Sequence, residues 1–397
     1  MNILVFTSFF PNNVFPNHCV FTKERMAPFQ RMNGCRMKVV APVPYFPPVK
    51  ITHRWKFSQV VMREKIEGFD VYHPRYYLTP KVGMTTYGLM MFLSALPTVK
   101  RIRKEFDFDL IDTHCVYPDG FAGVLMGRYF GKPVVVTSHG TDLNLYPKIR
   151  MMRTLLRYTL QKADRVIAVS QALKNVAVGL GIGEEKISVI PNGIDTGKFF
   201  PMPEGQARGF LNLPDKKVIL SVGALIPTKG FDLLIRAVKI LIEKHGRKDL
   251  FLVIVGEGPA RGDLEKLIAS LDLAENVHLT GGIPHKNIHL WYNAADLFCL
   301  TSHREGWACV LIEALACGTP VVATNVGGAP ELVRSEKYGL LANVNIEDIA
   351  EKISFALDTN WNRDEIVEYA RGFTWEIAAK ELNDLYGKVS RNSSGQG

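Results

Sequence analysis

Two doubly wound α/β units are the fold class this sequence predicts, and three observations carry the prediction. The chain has 397 residues, 47% of them hydrophobic, enough for two or three packed domains. Short Val/Ile-rich runs without polar alternation recur in both halves, as parallel strands covered on two faces require. Helix-length segments separate the runs, which is the rhythm of βαβ units.

In the first half the strand runs are residues 3–6, 37–40, 110–112, 134–136, 166–169 and 187–190. The second half repeats the scheme at 218–222, 252–255, 277–279, 297–300 and 321–323, with helical segments such as 231–245 and 262–271 between them. Asn192-Gly193, Pro201 and Pro203 mark a turn-rich connector, which divides the chain into units 1–195 and 196–374. Such units bind ligands outside the carboxyl ends of their strands, here in a cleft that the two domains face across. A helical stretch follows at 375–390, then a polar tail, 391–397, with the composition of a disordered segment.

Charge is uneven. Residues 1–200 hold 27 Lys and Arg against 14 Asp and Glu, which leaves 21 against 25 of the totals of 48 and 39 for the remainder. The basic half suits an anionic neighbour. A nucleic-acid partner is not expected, because no binding motif and no aromatic–basic interleaving appear. Two stretches have basic amphipathic spacing. In one, Val99, Ile102 and Phe106 alternate with Lys100, Arg101, Arg103 and Lys104; in the other, Arg150, Arg153 and Arg157 interleave with Met151, Met152, Leu155 and Leu156. Each reads as an outer helix of the domain or as a peripheral contact with anionic lipid. The apolar run 87–99 is too short to span a bilayer and contains Pro97, and residues 2–7 read as a strand and not as a secretion signal. Six cysteines without a C-x-x-C pair fit a reducing compartment. The expected location is therefore cytoplasmic, at most peripheral at the inner face of the membrane. No His/Cys/Asp cluster has ligand spacing, so no metal is expected.

The most informative segment runs from Arg304 through Glu305-Gly306-Trp307-Ala308-Cys309 to Glu313, and ends at Gly318 and Pro320. Glu305 sits just before a stretch with helical spacing and Glu313 lies inside it. Backbone N–H groups around Gly306 to Cys309 can hold a diphosphate at the helix N-terminus. A carboxylate there repels phosphate, so Glu305 suits sugar hydroxyls, and Glu313 suits a ribose. Lys229 lies in a glycine-flanked turn after a buried strand, where a cation can reach a leaving diphosphate. His139-Gly140 and His114 fall at strand ends, on the ligand edge of such a sheet.

This segment resembles the nucleotide-sugar motif of the retaining glycosyltransferases of family 4, which have the two-domain GT-B fold. The resemblance extends over nearly the whole chain. Pro191-Asn192-Gly193-Ile194-Asp195 is similar to the family's interdomain turn and Gly223-Ala224-Leu225-Ile226-Pro227-Thr228-Lys229-Gly230 to its phosphate loop; Val255-Gly256-Glu257-Gly258-Pro259 and Asn325-Val326-Gly327-Gly328-Ala329-Pro330-Glu331 fall at its glycine turns.

The resemblance implies an acceptor-binding domain over 1–195, a nucleotide-sugar-binding domain over 196–374, and a helix over 375–390 that returns to the first domain. Glu305, Lys229 and His139 become the expected catalytic residues, with His139 near the primary hydroxyl of the donor sugar. Gly223, Lys229, Gly256, Gly258, Arg304, Glu305, Gly306, Trp307, Ala308 and Glu313 become the expected donor site, and His114, Asp119 and Asp142 the acceptor contacts. The implied reaction moves a sugar from a nucleotide-diphosphate donor, a co-substrate with no further cofactor, to a glycan or lipid-linked acceptor, with retention and by front-face attack. Two departures stand out. Ala224 occupies the position of a usual arginine, and Pro16-Asn17-His18-Cys19 lacks a usual glycine. Ala224 keeps a catalytically impaired scaffold open as an alternative, and the shared architecture keeps a nucleotide-sugar epimerase open. The base, the sugar and the acceptor stay open as well.

Overall fold

Buried Val/Ile runs satisfy their backbone in a ladder, and among the described residues sixteen strands form three sheets. The structure is a computed structural model that describes residues 1–50, 53–78, 83–203 and 205–394. It divides into two compact units, Met1–Asn192 with Trp375–Gly397, and Gly193–Thr374.

In the first unit the strands are β1 (Asn2–Phe6), β2 (Arg36–Val40), β3 (Val43–Pro44), β4 (Arg63–Ile66), β5 (Phe69–Tyr72), β6 (Arg75–Tyr76), β7 (Leu110–His114), β8 (Val134–Ser138), β9 (Arg165–Ala168) and β10 (Ile187–Val189). The main sheet has the order β10-β9-β8-β7-β1-β2-β5-β4, and β3 pairs with β6 separately. All main-sheet pairings are parallel except β4 with β5. That hairpin was not expected from sequence, since Arg63-Glu64-Lys65-Ile66 has no apolar run. It is made by a two-residue turn, Glu67 at φ 47° and Gly68 at φ 92°, the twist that hairpins favour. The charged β4 closes the sheet's edge.

The second unit holds β11 (Lys217–Val222), β12 (Leu250–Val255), β13 (Val277–Gly281), β14 (Leu297–Leu300), β15 (Val321–Thr324) and β16 (Gly339–Ala342). Their order is β13-β12-β11-β14-β15-β16, and all pairings are parallel. β16 was also unexpected, because Gly-Leu-Leu-Ala has no β-branched residue. In each sheet the direction of winding reverses once, beside β1 and β7 in the first and beside β11 and β14 in the second. Loops that diverge at such a point leave room for a ligand.

Helices cover both faces. Phe231–Lys244 buries Leu234, Ile235, Val238 and Leu241, the i, i+4, i+7 stripe of an amphipathic helix. It packs against Ile346–Asp358, whose Asn345 side chain accepts the Asp348 N–H at 2.8 Å and so caps the first turn. In the first unit, helix Val20–Asn33 lies against the last helix, Trp375–Ser394, with the Phe29 and Tyr386 rings 5.3 Å apart edge to face. The last helix thus runs four residues into the segment read as a disordered tail; residues 395–397 lie outside the described residues.

Candidate active site

In the second unit the loop after β11 is set by glycines. A Cβ on Gly256 would stand 1.8 Å from the Gly223 carbonyl oxygen, and one on Gly258 would stand 2.3 Å from that of Leu225. The loops after β11 and β12 therefore approach backbone to backbone, with Leu225 N–H donating to Glu257 O at 2.9 Å and Ala260 N–H to Leu225 O at 3.0 Å. Gly256 and Gly258, expected at the donor, shape the Gly223 loop. Lys229 ends a single 3-10 turn, Pro227–Lys229, closed by Gly230 at φ 63°. A Cβ on Gly230 would meet the Thr301 carbonyl oxygen at 2.1 Å.

That close approach joins the turn to the loop after β14. Lys229 Nζ donates to Glu305 Oε1 at 2.7 Å, and Ser302 Oγ donates to the same oxygen at 2.6 Å. Residues 76 positions apart thus form one half-buried ion pair, with the Glu305 side chain 9% exposed and that of Lys229 24% exposed. Ser302 was not singled out from sequence. Behind Glu305 the chain is pinned, because a Cβ on Gly327 would stand 1.9 Å from its carbonyl oxygen.

Gly306, Trp307 and Ala308 are buried and lead into helix Cys309–Ala316. Trp307 packs toward Phe373, ring centroids 6.2 Å apart. Ala308 is the N-cap and supplies no side-chain oxygen, a poor cap for stability that leaves this end suited to an anion. Arg304 and Ala224 are exposed. Inside the helix, Glu313 Oε2 accepts the Tyr292 hydroxyl at 2.6 Å, and His285 Nε2 lies 3.9 Å from Oε1. Burial, then the Glu313 charge, pushes the Tyr292 phenol well up. Tyr292 and His285 belong to no motif, so sequence gave no signal for them.

In the first unit, His114 ends β7 and His139 follows β8. His114 Nε2 lies 3.0 Å from Asp112 Oδ2, and His114 Nδ1 lies 2.9 Å from His139 Nε2, with the two rings stacked at 18°. Burial, then His114 and Arg25, holds the His139 imidazole well below its ordinary value. Phe9 and Phe21 flank that ring at 6.5 and 4.6 Å.

His114, Asp119 and Asp142, the residues expected at the acceptor, lie around the ends of β7 and β8. All three are at most 1% exposed, and both nitrogens of His114 are engaged. Asp142 accepts from Val116 N, Ser138 Oγ, Gly140 N and Leu143 N at 2.7 to 3.1 Å, which makes it a brace for the β7 and β8 loops. Asp119 accepts from Ser8 N and, at 3.1 Å, from Ser8 Oγ. Burial pushes it up to about 7 against the opposing Ser8 hydrogen bonds.

The glycine-free loop before helix Val20–Asn33 is accommodated by Cys19 itself, which takes left-handed backbone at φ 48°, a conformation costly for any residue with a Cβ. Asp107-Phe108-Asp109, a D-x-D triplet, lies at the amino end of β7. It is occupied there: Asp107 pairs with Arg103 and Lys132, and Asp109 Oδ2 accepts the Asn2 N–H at 2.8 Å.

Comparison with known proteins gives the family. The family model for glycosyl transferases group 1 matches residues 205–373, and that for glycosyltransferase family 4 matches residues 78–198. A D-inositol 3-phosphate glycosyltransferase of Actinosynnema mirum is 33% identical over 304 residues, 71% of this chain and 73% of the relative. The putative teichuronic acid biosynthesis glycosyltransferase TuaC of Bacillus subtilis is 29% identical over 408 residues, 99% of this chain and all of the relative. Among solved structures, sucrose-phosphate synthase from Thermosynechococcus elongatus superposes with a TM-score of 0.81 at 21% identity, covering 98% of both chains. HepE of Anabaena in complex with UDP gives 0.74 at 21% identity, over 98% of this chain and 100% of that one. Two Rossmann-like domains with these strand orders, joined to those matches, place the chain in the glycosyltransferases of group 1 and family 4, with the GT-B fold.

Proposed function

We propose that this glycosyltransferase takes a sugar from a nucleotide-diphosphate donor and transfers it, with retention and without a metal, to a glycan or lipid-linked acceptor. The observation that carries the reading is the Lys229–Glu305–Ser302 cluster beside the N-terminus of helix Cys309–Ala316. Lys229 and the helix end stabilise the negative charge of a departing diphosphate, while Glu305 accepts from sugar hydroxyls. Glu305 is a poor nucleophile here because Lys229 and Ser302 already bind its carboxylate, so front-face attack suits the site better than double displacement. Glu313, presented by Tyr292, is the ribose acceptor. Exposed Arg304, next to Glu305 in the loop after β14, is the cation that stands in for the charge missing at Ala224 in this reading.

For the acceptor, the relatives whose names include D-inositol 3-phosphate, phosphatidylinositol and teichuronic acid support a lipid-linked or surface-glycan substrate. Peripheral membrane contact is part of the same proposal. No helix among the described residues is long and apolar enough to cross a membrane. Leu89 and Leu93 are exposed on helix Tyr87–Glu105 together with Lys100, Arg101 and Lys104; on helix Arg150–Lys162, Met151 is 62% exposed beside Arg150, Arg153 and Arg157. That mixture suits an anionic interface.

The test is a screen of UDP-, GDP- and ADP-sugars for thermal stabilisation, followed by product analysis. The expected result is one nucleotide class that stabilises, a product with the donor's anomeric configuration, and a rate unchanged by EDTA. An inverted product or an EDTA-sensitive rate would refute the corresponding part.

A further inference from the structure

A buried carboxylate, two imidazoles and a nitrogen with no partner stand in one line in the first unit. Asp112 and His114 are fully buried, and the steps between them and on to His139 are 3.0 and 2.9 Å. The far nitrogen of His139, Nδ1, is buried and makes no hydrogen bond, although part of the His139 residue reaches solvent. A buried polar atom without a partner is costly and calls for a reason.

With Asp112 ionised and His114 neutral, the donor–acceptor inventory allows one arrangement of the protons. An ionised carboxylate only accepts, so His114 Nε2 carries the proton toward Asp112. A neutral imidazole has one N–H, so His114 Nδ1 is a lone pair and can only accept from His139 Nε2–H. His139 Nδ1 is then bare. Charged groups of both signs face the line. The guanidinium of fully buried Arg25 acts on both His139 and Tyr386, and the charge of Asp112 acts on Tyr386 from the last helix. Glu381 of the last helix also faces Arg25.

We infer that Asp112 and His114 are positioning residues that hold His139 in its Nε2–H tautomer, so that Nδ1 is presented as a hydrogen-bond acceptor and selects a hydroxyl of the ligand. The inference rests on the proposed transfer reaction insofar as the hydroxyl belongs to the sugar. It also assigns Asp112 a part that no sequence motif suggested, and it gives His114 an indirect one in place of acceptor contact. A ligand that presents a lone pair to Nδ1 would meet another lone pair, so the line discriminates by hydrogen-bond polarity.

The experiment has two arms. Ring-nitrogen NMR of ¹⁵N-histidine-labelled protein near neutral pH reports tautomers directly, and both His114 and His139 are expected as Nε2–H with bare Nδ1. A doubly protonated His114, or a His139 proton on Nδ1, overturns the relay. In the second arm, UDP-glucose, UDP-N-acetylglucosamine and GDP-mannose serve as probes of binding and nucleotide release. Asp112→Asn keeps the shape but loses the charge that selects the tautomer. It is expected to mix the His139 tautomers and slow nucleotide release from the best probe by about tenfold or more, as loss of a tautomer-holding carboxylate does, at a thermal midpoint close to wild type. Unchanged tautomers and unchanged release in a folded Asp112→Asn protein contradict the positioning role. Unchanged binding and release in His139→Ala overturn the hydroxyl selection together with the sugar contact, whereas a wrong tautomer overturns the relay alone.

Discussion

Asp119 shows how one buried group can tie stability to pH. Its carboxyl is pushed up to about 7 from 3.8, chiefly by burial, so the folded protein keeps a proton that the unfolded chain releases first. Between those two values the folded state binds more protons, and stability falls as pH rises. Asp119→Asn removes that slope while keeping an oxygen for Ser8. Its melting temperature relative to wild type should therefore climb from pH 4 to pH 8; a constant difference would show that Asp119 does not titrate with folding. Glu313 gives a second test at this scale. A carboxylate that accepts from a ribose contributes about 1.5–3 kcal/mol as a charged hydrogen bond, so Glu313→Ala should weaken UDP or GDP by roughly tenfold to a hundredfold in calorimetric titration. Equal affinity would reject the ribose assignment. The roles of single residues were only partly legible in sequence. Glu305 and Lys229 announced themselves through glycine-flanked motifs, whereas Tyr292, His285 and Asp112 act through partners that only the folded chain brings near.

At the scale of elements, glycine turns were easy to locate and hard to interpret. Gly256 reads like a ligand-binding glycine, yet its backbone at φ 156° lies against the Gly223 carbonyl. Gly256→Ala should accordingly destabilise the second unit by at least about 2 kcal/mol through a clash that neither loop can relieve alone. A chemical-denaturation midpoint equal to wild type would show the loops to be adaptable. Strands were legible where β-branched residues cluster and illegible where a turn does the work, as in the β4–β5 hairpin made by Glu67-Gly68. The basic helix Tyr87–Glu105 divides its charges in a way that periodicity does not show. Arg103 is spent on Asp107 and on the Phe108 carbonyl at 2.9 Å, while Lys100, Arg101 and Lys104 stay exposed. Changing those three to glutamine should reduce flotation with anionic vesicles at low salt and matter little at high salt, where the attraction is screened. Wild-type protein that ignores such vesicles would end the membrane proposal.

For the whole molecule, alternation of strands and helices was enough to expect two parallel-sheet units, because each βαβ step is local in sequence. The site was less legible, since its pairings cross the sheet. Lys229 meets Glu305 only because β11 and β14 are neighbours, and His114 meets His139 only because β7 and β8 are. The account's central claim is that this molecule uses the Lys229 charge to stabilise a leaving diphosphate. Its most direct test is the initial rate of sugar transfer by wild type and Lys229→Ala, at a donor concentration that saturates both. Loss of one preorganised donor of this kind costs about 2.7–4 kcal/mol, or 10²–10³ in rate. A fall of that size with donor affinity changed far less is the predicted result, and transfer by Lys229→Ala within a few-fold of wild type would contradict it.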